Sequence, residues 1–98
     1  MAVYILALVN ITDRETYANY ERGFGRIFRR YQGKLLAVEE NPVVKEGEWA
    51  YGRTVLVEFP SLEELERWYH SDEYQALSQH RRNASTASIV VLRQFGKS

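Results

Sequence analysis

Arg53-Thr54-Val55-Leu56-Val57-Glu58-Phe59-Pro60-Ser61-Leu62-Glu63-Glu64 sets the architecture of this chain. Val55, Val57 and Phe59 alternate with Leu56, so a strand over Arg53–Phe59 is apolar on both faces and calls for cover on both. Pro60 has no N–H to give a ladder and stops the strand. Ser61 followed three residues on by Glu64 reads as a capping box. Leu62, Leu65, Trp68 and Tyr69 then recur at helical spacing. His70-Ser71-Asp72 interrupts this short helix, with His70 placed to assist its C-terminus and Ser71 placed to cap a second helix running to about Ala84.

Upstream, Val3 to Asn10 is a run of β-formers in which Val3, Ile5, Ala7 and Val9 point one way and Tyr4, Leu6 and Leu8 the other. Thr12 and Glu15 read as another capping box. Tyr17, Tyr20, Phe24, Ile27 or Phe28, and Tyr31 form an aromatic stripe, which predicts a helix from about Asp13 to Tyr31 closed by Gly33 as C-cap. Gly23 and Gly25 weaken that helix by up to ~1 kcal/mol each relative to Ala, unless a neighbour needs the close approach. Lys34 to Glu40 reads as a second strand. Val43 to Gly52, with Trp49 and Tyr51, has no clean period and reads as an irregular excursion, Trp49 being an arm for a second subunit. Ala87 to Phe95 reads as the last strand.

The order β-α-β-β-α-β predicts an α+β, ferredoxin-like domain over residues 1–98, with a four-stranded antiparallel sheet and its helices on one face. The strands are oily on both faces, yet the chain has helices for only one. A second copy packed sheet to sheet is the simplest cover, so a homodimer is expected.

Composition narrows function by exclusion. Thirteen basic residues balance thirteen acidic ones, so the charge total gives no footprint for nucleic acid or for an anionic membrane. No apolar run approaches spanning length, and the N-terminus lacks the basic start of a signal peptide. With no cysteine there are no disulfides, thiolate metal sites or cysteine nucleophiles, which fits a reducing, cytoplasmic setting. Phosphate loops, zinc-type clusters and nucleophile elbows are missing as motifs, and the two histidines are far apart, so no metal or cofactor is expected.

The residues with chemical capacity cluster late in the chain. Tyr74, Leu77, Arg81 and Ala84 fall on one helical stripe, which turns Arg81 inward. An inward guanidinium stays charged and needs acceptors. Three readings are open: a clamp for the carboxylate or enolate of a small organic anion, a structural ion pair with Glu58 or another carboxylate, or a side chain that snorkels to water. His80 beside it is the candidate base, His80 and Arg81 together forming the candidate catalytic pair. Tyr20, Trp68, Tyr69 and Tyr74 are candidate walls of an apolar pocket, the tyrosine hydroxyls supplying its polar contacts. Arg53 is a further candidate ligand contact, or a partner for Glu48 or Glu39 at the sheet end.

The segment from Arg53 to Glu63, then Trp68-Tyr69, Ser71-x-Glu73-Tyr74-Gln75-Ala76-Leu77 and Arg81, resembles the domain-of-unknown-function 1330 family. Glu46-Gly47-Glu48-Trp49 and the Asp13, Tyr17, Tyr20 spacing fit the same pattern, whereas Gln32-Gly33 departs from the paired glycines more common there. The resemblance implies a dimeric α+β barrel and no established reaction. Relatives by fold include cofactor-free monooxygenases, haem-degrading enzymes and lactone isomerases. Two functions therefore stand: a pocket for an organic acid or oxygenated aromatic, in a cofactor-free enzyme, or a non-catalytic binding or structural dimer.

Overall fold

The computed structural model describes residues 1–96. Its elements are β1 (Val3–Ile11), α1 (Arg14–Phe28), β2 (Lys34–Glu39), β3 (Arg53–Phe59), α2 (Leu62–Tyr69), α3 (Asp72–Ala84) and β4 (Ser85–Arg93). The strands form one antiparallel sheet in the order β2-β3-β1-β4. The predicted ferredoxin-like arrangement is therefore present, with its second helical unit broken at His70–Ser71.

Side-chain caps set the helix starts. Ser61 Oγ accepts from the Glu64 N–H at 3.2 Å, and Ser71 Oγ accepts from the Tyr74 N–H at 3.2 Å while donating to the Trp68 carbonyl at 2.8 Å. His70 caps the end of α2, with its N–H on the Glu66 carbonyl. The start of α1 departs from expectation. Its N-cap is Asp13, whose Oδ1 accepts from the Thr16 N–H at 3.2 Å and whose Oδ2 accepts from the Thr16 hydroxyl at 2.8 Å. Thr12 precedes the cap: β1 stays paired to Ile11↔Ser85, and the Thr12 and Asp13 N–H groups both donate to the Ala84 carbonyl, at 2.7 and 3.1 Å.

The end of α1 also differs. It closes at Phe28, not Tyr31, and the next turn tightens through Arg30 N–H to Ile27 O and Tyr31 N–H to Phe28 O. Gly33 does not cap it. The chain has to pass between rings to reach Lys34, which pairs with Glu58. A Cβ at Gly33 would clash with the Cζ edge of the Phe28 ring and fall 2.8 Å from Phe59 Cζ. Gly23 likewise admits Leu77 of α3, while Gly25 meets only the end of its own Arg29. β4 begins directly after α3, at Ser85 instead of Ala87, and ends at Arg93.

The core lies between one sheet face and the helices. Val3, Ile5 and Val9 of β1 and Val57 and Phe59 of β3 pack against Tyr17, Tyr20, Ile27 and Phe28 of α1, Leu65 and Trp68 of α2, and Tyr74 and Ala84 of α3. Every residue of β2 is exposed, although Leu35, Leu36 and Val38 are apolar. A bulge sits there: Leu35 pairs with Val57, and the next partners are Ala37↔Leu56 and Val38↔Val55. The extra residue turns both Leu35 and Val38 toward the helices. On the opposite face the register stacks Leu6 with Leu56 and Val90, and Tyr4 with Leu92. Val90 and Leu92 remain 46% and 44% exposed, so this belt has no cover from the described chain. Trp49, in the irregular segment, is half-exposed and edge-on to Tyr51.

Candidate functional site

α3 buries Tyr74, Ser78, Arg81 and Ala84 at i, i+4, i+7 and i+10. That spacing draws Arg81 under α1, where it is 6% exposed. No carboxylate lies within ion-pair distance of it among the described residues, and its Nε has no hydrogen-bond partner. The expected alternative of a pair with Glu58 is not realised, because Glu58 shares a sheet face with Tyr4, the side facing away from the helices. The surroundings of the guanidinium are tyrosines. It lies 5.9 Å from the centroid of the Tyr20 ring, and the Tyr20 and Tyr74 hydroxyls meet each other at 2.7 Å. Burial raises Tyr20 well above the ordinary tyrosine pKa, and the neighbouring Tyr74 adds to the rise. The Tyr20 hydroxyl therefore keeps its proton at neutral pH.

These groups face a cavity of about 160 Å³ between helices and sheet. From α1 it takes Tyr17, Tyr20, Glu21 and Phe24; from α2, Trp68 and Tyr69; from α3, Tyr74 and Arg81. The sheet floor is aliphatic, and Leu35 and Val38, turned in by the bulge, line the β2 side. Arg53 enters from the start of β3. Its guanidinium pairs with Glu21 at 2.7 Å and Glu40 at 3.0 Å, not with Glu48 or Glu39. Glu21 lies one helical turn beyond Tyr17 on the α1 face, which brings its carboxylate to β3. Arg53 also lies 5.9 Å from the Tyr17 ring, and its Nε is buried without a partner. The Trp68 indole N–H is a third buried donor without an acceptor.

The structure thus brings Arg81, Arg53, Tyr20, Trp68, Tyr69 and Tyr74 to one cavity. It does not bring His80, which is exposed on the outer face of α3. The reason is angular: His80 is one residue, about a hundred degrees, from Arg81, so burial of one exposes the other. Tyr17 and Glu21 are wall residues that the sequence reading did not single out for the site. Their signal was the α1 stripe itself, with a carboxylate one turn after its first tyrosine. Glu21, the carboxylate in the described wall, is paired with Arg53. Among the described residues no three His, Cys, Asp or Glu side chains converge as a metal site would require.

The fold is shared with solved structures of low sequence identity. A protein of unknown function from Rhodopseudomonas palustris superposes with a TM-score of 0.80 at 20% identity, covering 98% of this chain and 84% of that one. A dimeric ferredoxin-like protein of unknown function from Thermobifida fusca gives 0.67 at 9%, covering 96% and 92%. SnoaB, a cofactor-independent oxygenase from Streptomyces nogalater, gives 0.65 at 13%, covering 98% and 95%. Comparison with curated proteins gave no match. The model of one family, Domain of unknown function (DUF1330), matches residues 2–95, nearly the full length, and the chain belongs to that family.

Proposed function

We propose that this chain binds a small organic acid, or the ionised form of an oxygenated aromatic, in the helix–sheet cavity, and that it does so as a homodimer. The observation that carries the reading is Arg81: a buried guanidinium facing a cavity, with no carboxylate among the described residues to answer it. Structural arginines at such depth are paired, because removing a charge from water costs several kcal/mol. A ligand carboxylate or phenolate would supply the missing charge and accept the free N–H groups.

Charge and size narrow the class. Of the charged wall groups, Arg53 is answered by Glu21 and Glu40 while Arg81 is not answered among the described residues, which favours a monoanion. A cavity of about 160 Å³ suits a single ring, since an apolar cavity of about 150 Å³ holds benzene. With His80 outside and Glu21 paired, no side chain stands ready to abstract a proton. The ligand arrives ionised or ionises under the field of Arg81. This favours anion binding over base catalysis, and any chemistry would be that of the bound anion itself.

The uncovered belt of Leu6, Leu56, Val90 and Leu92 supports the second half of the proposal, as does the dimeric description of the Thermobifida fusca neighbour. Two such belts packed across a two-fold axis would give each sheet its missing layer.

The test is a thermal-shift and titration series with benzoate, salicylate and neutral benzamide. Benzoate and salicylate raise the melting temperature of the wild type and benzamide does not. Equal shifts for benzoate and benzamide, or none for any, would refute the anion site. For the dimer, sedimentation at micromolar concentration gives twice the chain mass, and Leu6→Glu gives the single chain. A wild-type monomer would refute it.

A further inference from the structure

We infer that the site has a second chamber, which takes an apolar substituent of the same ligand and is divided from the first by the Tyr69 ring. The inference rests on the anion-site reading above. A cavity of about 240 Å³ lies between α2 and the edge strand β4. Its walls are Ile5, Leu65, Tyr69, Ile89 and Val91, with Glu66 as its sole charged member. Ile5, Tyr69 and Ile89 also line the chamber that holds Arg81. These three side chains therefore stand on the boundary between the two cavities. Of the three, Tyr69 alone is on a helix, and it occupies the last position of α2, next to the break at His70 and Ser71. It is half-buried, edge-on to His70, and 5.8 Å from the Tyr74 ring.

Charge sets the polarity of the ligand along this axis. Arg81 holds the anion in the inner chamber. Glu66, whose side chain is 51% exposed, stands at the rim of the outer one. A second carboxylate there meets like charge, whereas an alkyl chain meets the aliphatic side chains of Ile5, Leu65, Ile89 and Val91. The class this selects is an aryl or short aliphatic acid with an uncharged apolar tail on the side remote from its acid group.

The experiment titrates benzoate, 4-butylbenzoate, 4-hexylbenzoate and 4-(4-carboxybutyl)benzoate into the full chain, as wild type, Val91→Trp and Glu66→Lys. Val91 is 42% exposed on an edge strand, so a larger side chain is accommodated there and fills the chamber. The wild type should bind the alkyl series about fourfold more tightly per methylene until the chamber is full. Val91→Trp should lose that gain while keeping benzoate affinity. The dicarboxylate should bind more weakly than 4-butylbenzoate to the wild type, and Glu66→Lys should narrow that gap. Benzoate binding with no dependence on tail length, or a tail gain that survives Val91→Trp, overturns the second chamber and leaves the anion site standing. No binding of any acid overturns the anion site, and the second chamber with it.

Discussion

Arg81→Met separates the two roles that a buried arginine can have, because they predict opposite signs for stability. In a structural ion pair, removing one partner strands the other and costs about 3–5 kcal/mol. Here no carboxylate among the described residues is stranded. Arg81 is 6% exposed, and the effective desolvation penalty of such a charge is several kcal/mol. Against it stand the contact with the Tyr20 ring at 5.9 Å, worth about 0.5–1 kcal/mol, and the polarity of the tyrosine hydroxyls. Methionine fills a similar volume without a charge and suits the aromatic wall. The ligand-free variant is expected to gain about 1–2 kcal/mol, which for a chain of this length raises the melting temperature by roughly 5–15 °C. Loss of the clamp weakens benzoate by about 2–5 kcal/mol, or roughly 30- to 4,000-fold. Circular dichroism melts without ligand, followed by calorimetric titration, read both quantities. A ligand-free Arg81→Met that melts well below wild type would show that the guanidinium serves the fold, and the reasoning would fail. Stability gained where function is lost is the usual mark of a site held at a cost to folding.

Gly33→Ala should destabilise by about 1–3 kcal/mol, since its Cβ would overlap the buried Phe28 and Phe59 rings, whereas Gly23→Ala should stay within about 0.5 kcal/mol because the flexible end of Leu77 can turn aside while the helix gains propensity; urea midpoints compare the two. Tyr20 has a raised pKa in the folded protein, so its contribution is fully present below the unfolded value of about 10 and is lost as pH rises toward the folded one. The urea midpoint of the wild type should fall above pH ~10, and that of Tyr20→Phe should fall less steeply, although it starts lower at pH ~7 for want of the hydroxyl pair. Asp13 is held below the usual carboxylate range by the Thr16 hydroxyl and N–H, so its capping contribution is present above about pH 4 and is lost as pH falls through its folded value. Asp13→Ala should lower the melting temperature at neutral pH and Thr12→Val should not, and a greater loss at Thr12 would refute the assignment of the cap.

The order of elements, the two-sided apolar strands, the break at His70–Ser71 and the inward turn of Arg81 could all be read from the residues. Each depends on a local period or a local cap, and a period holds whatever the rest of the chain does. Five predicted ligand contacts and Arg81 met in one cavity for the same reason, since each lies on the buried stripe of its own helix or at the start of a central strand.

What the tertiary structure decided is everything that depends on two segments meeting. Thr12 and Asp13 are both good caps, and the role falls to Asp13 where β1, paired with β4 as far as Ile11, gives way to α1. Gly33 looks like a helix end until the Phe28 and Phe59 rings are in place around it. Plain alternation sets Leu35 and Val38 on opposite faces, and the bulge against β3 brings both to the cavity. Arg53 had several carboxylates within reach along the chain, and α1 delivered Glu21. His80 and Arg81 are adjacent residues of one helix, and packing buried only the second. Periodicity records which way a side chain points, while the partner it finds is fixed by the distances that folding closes.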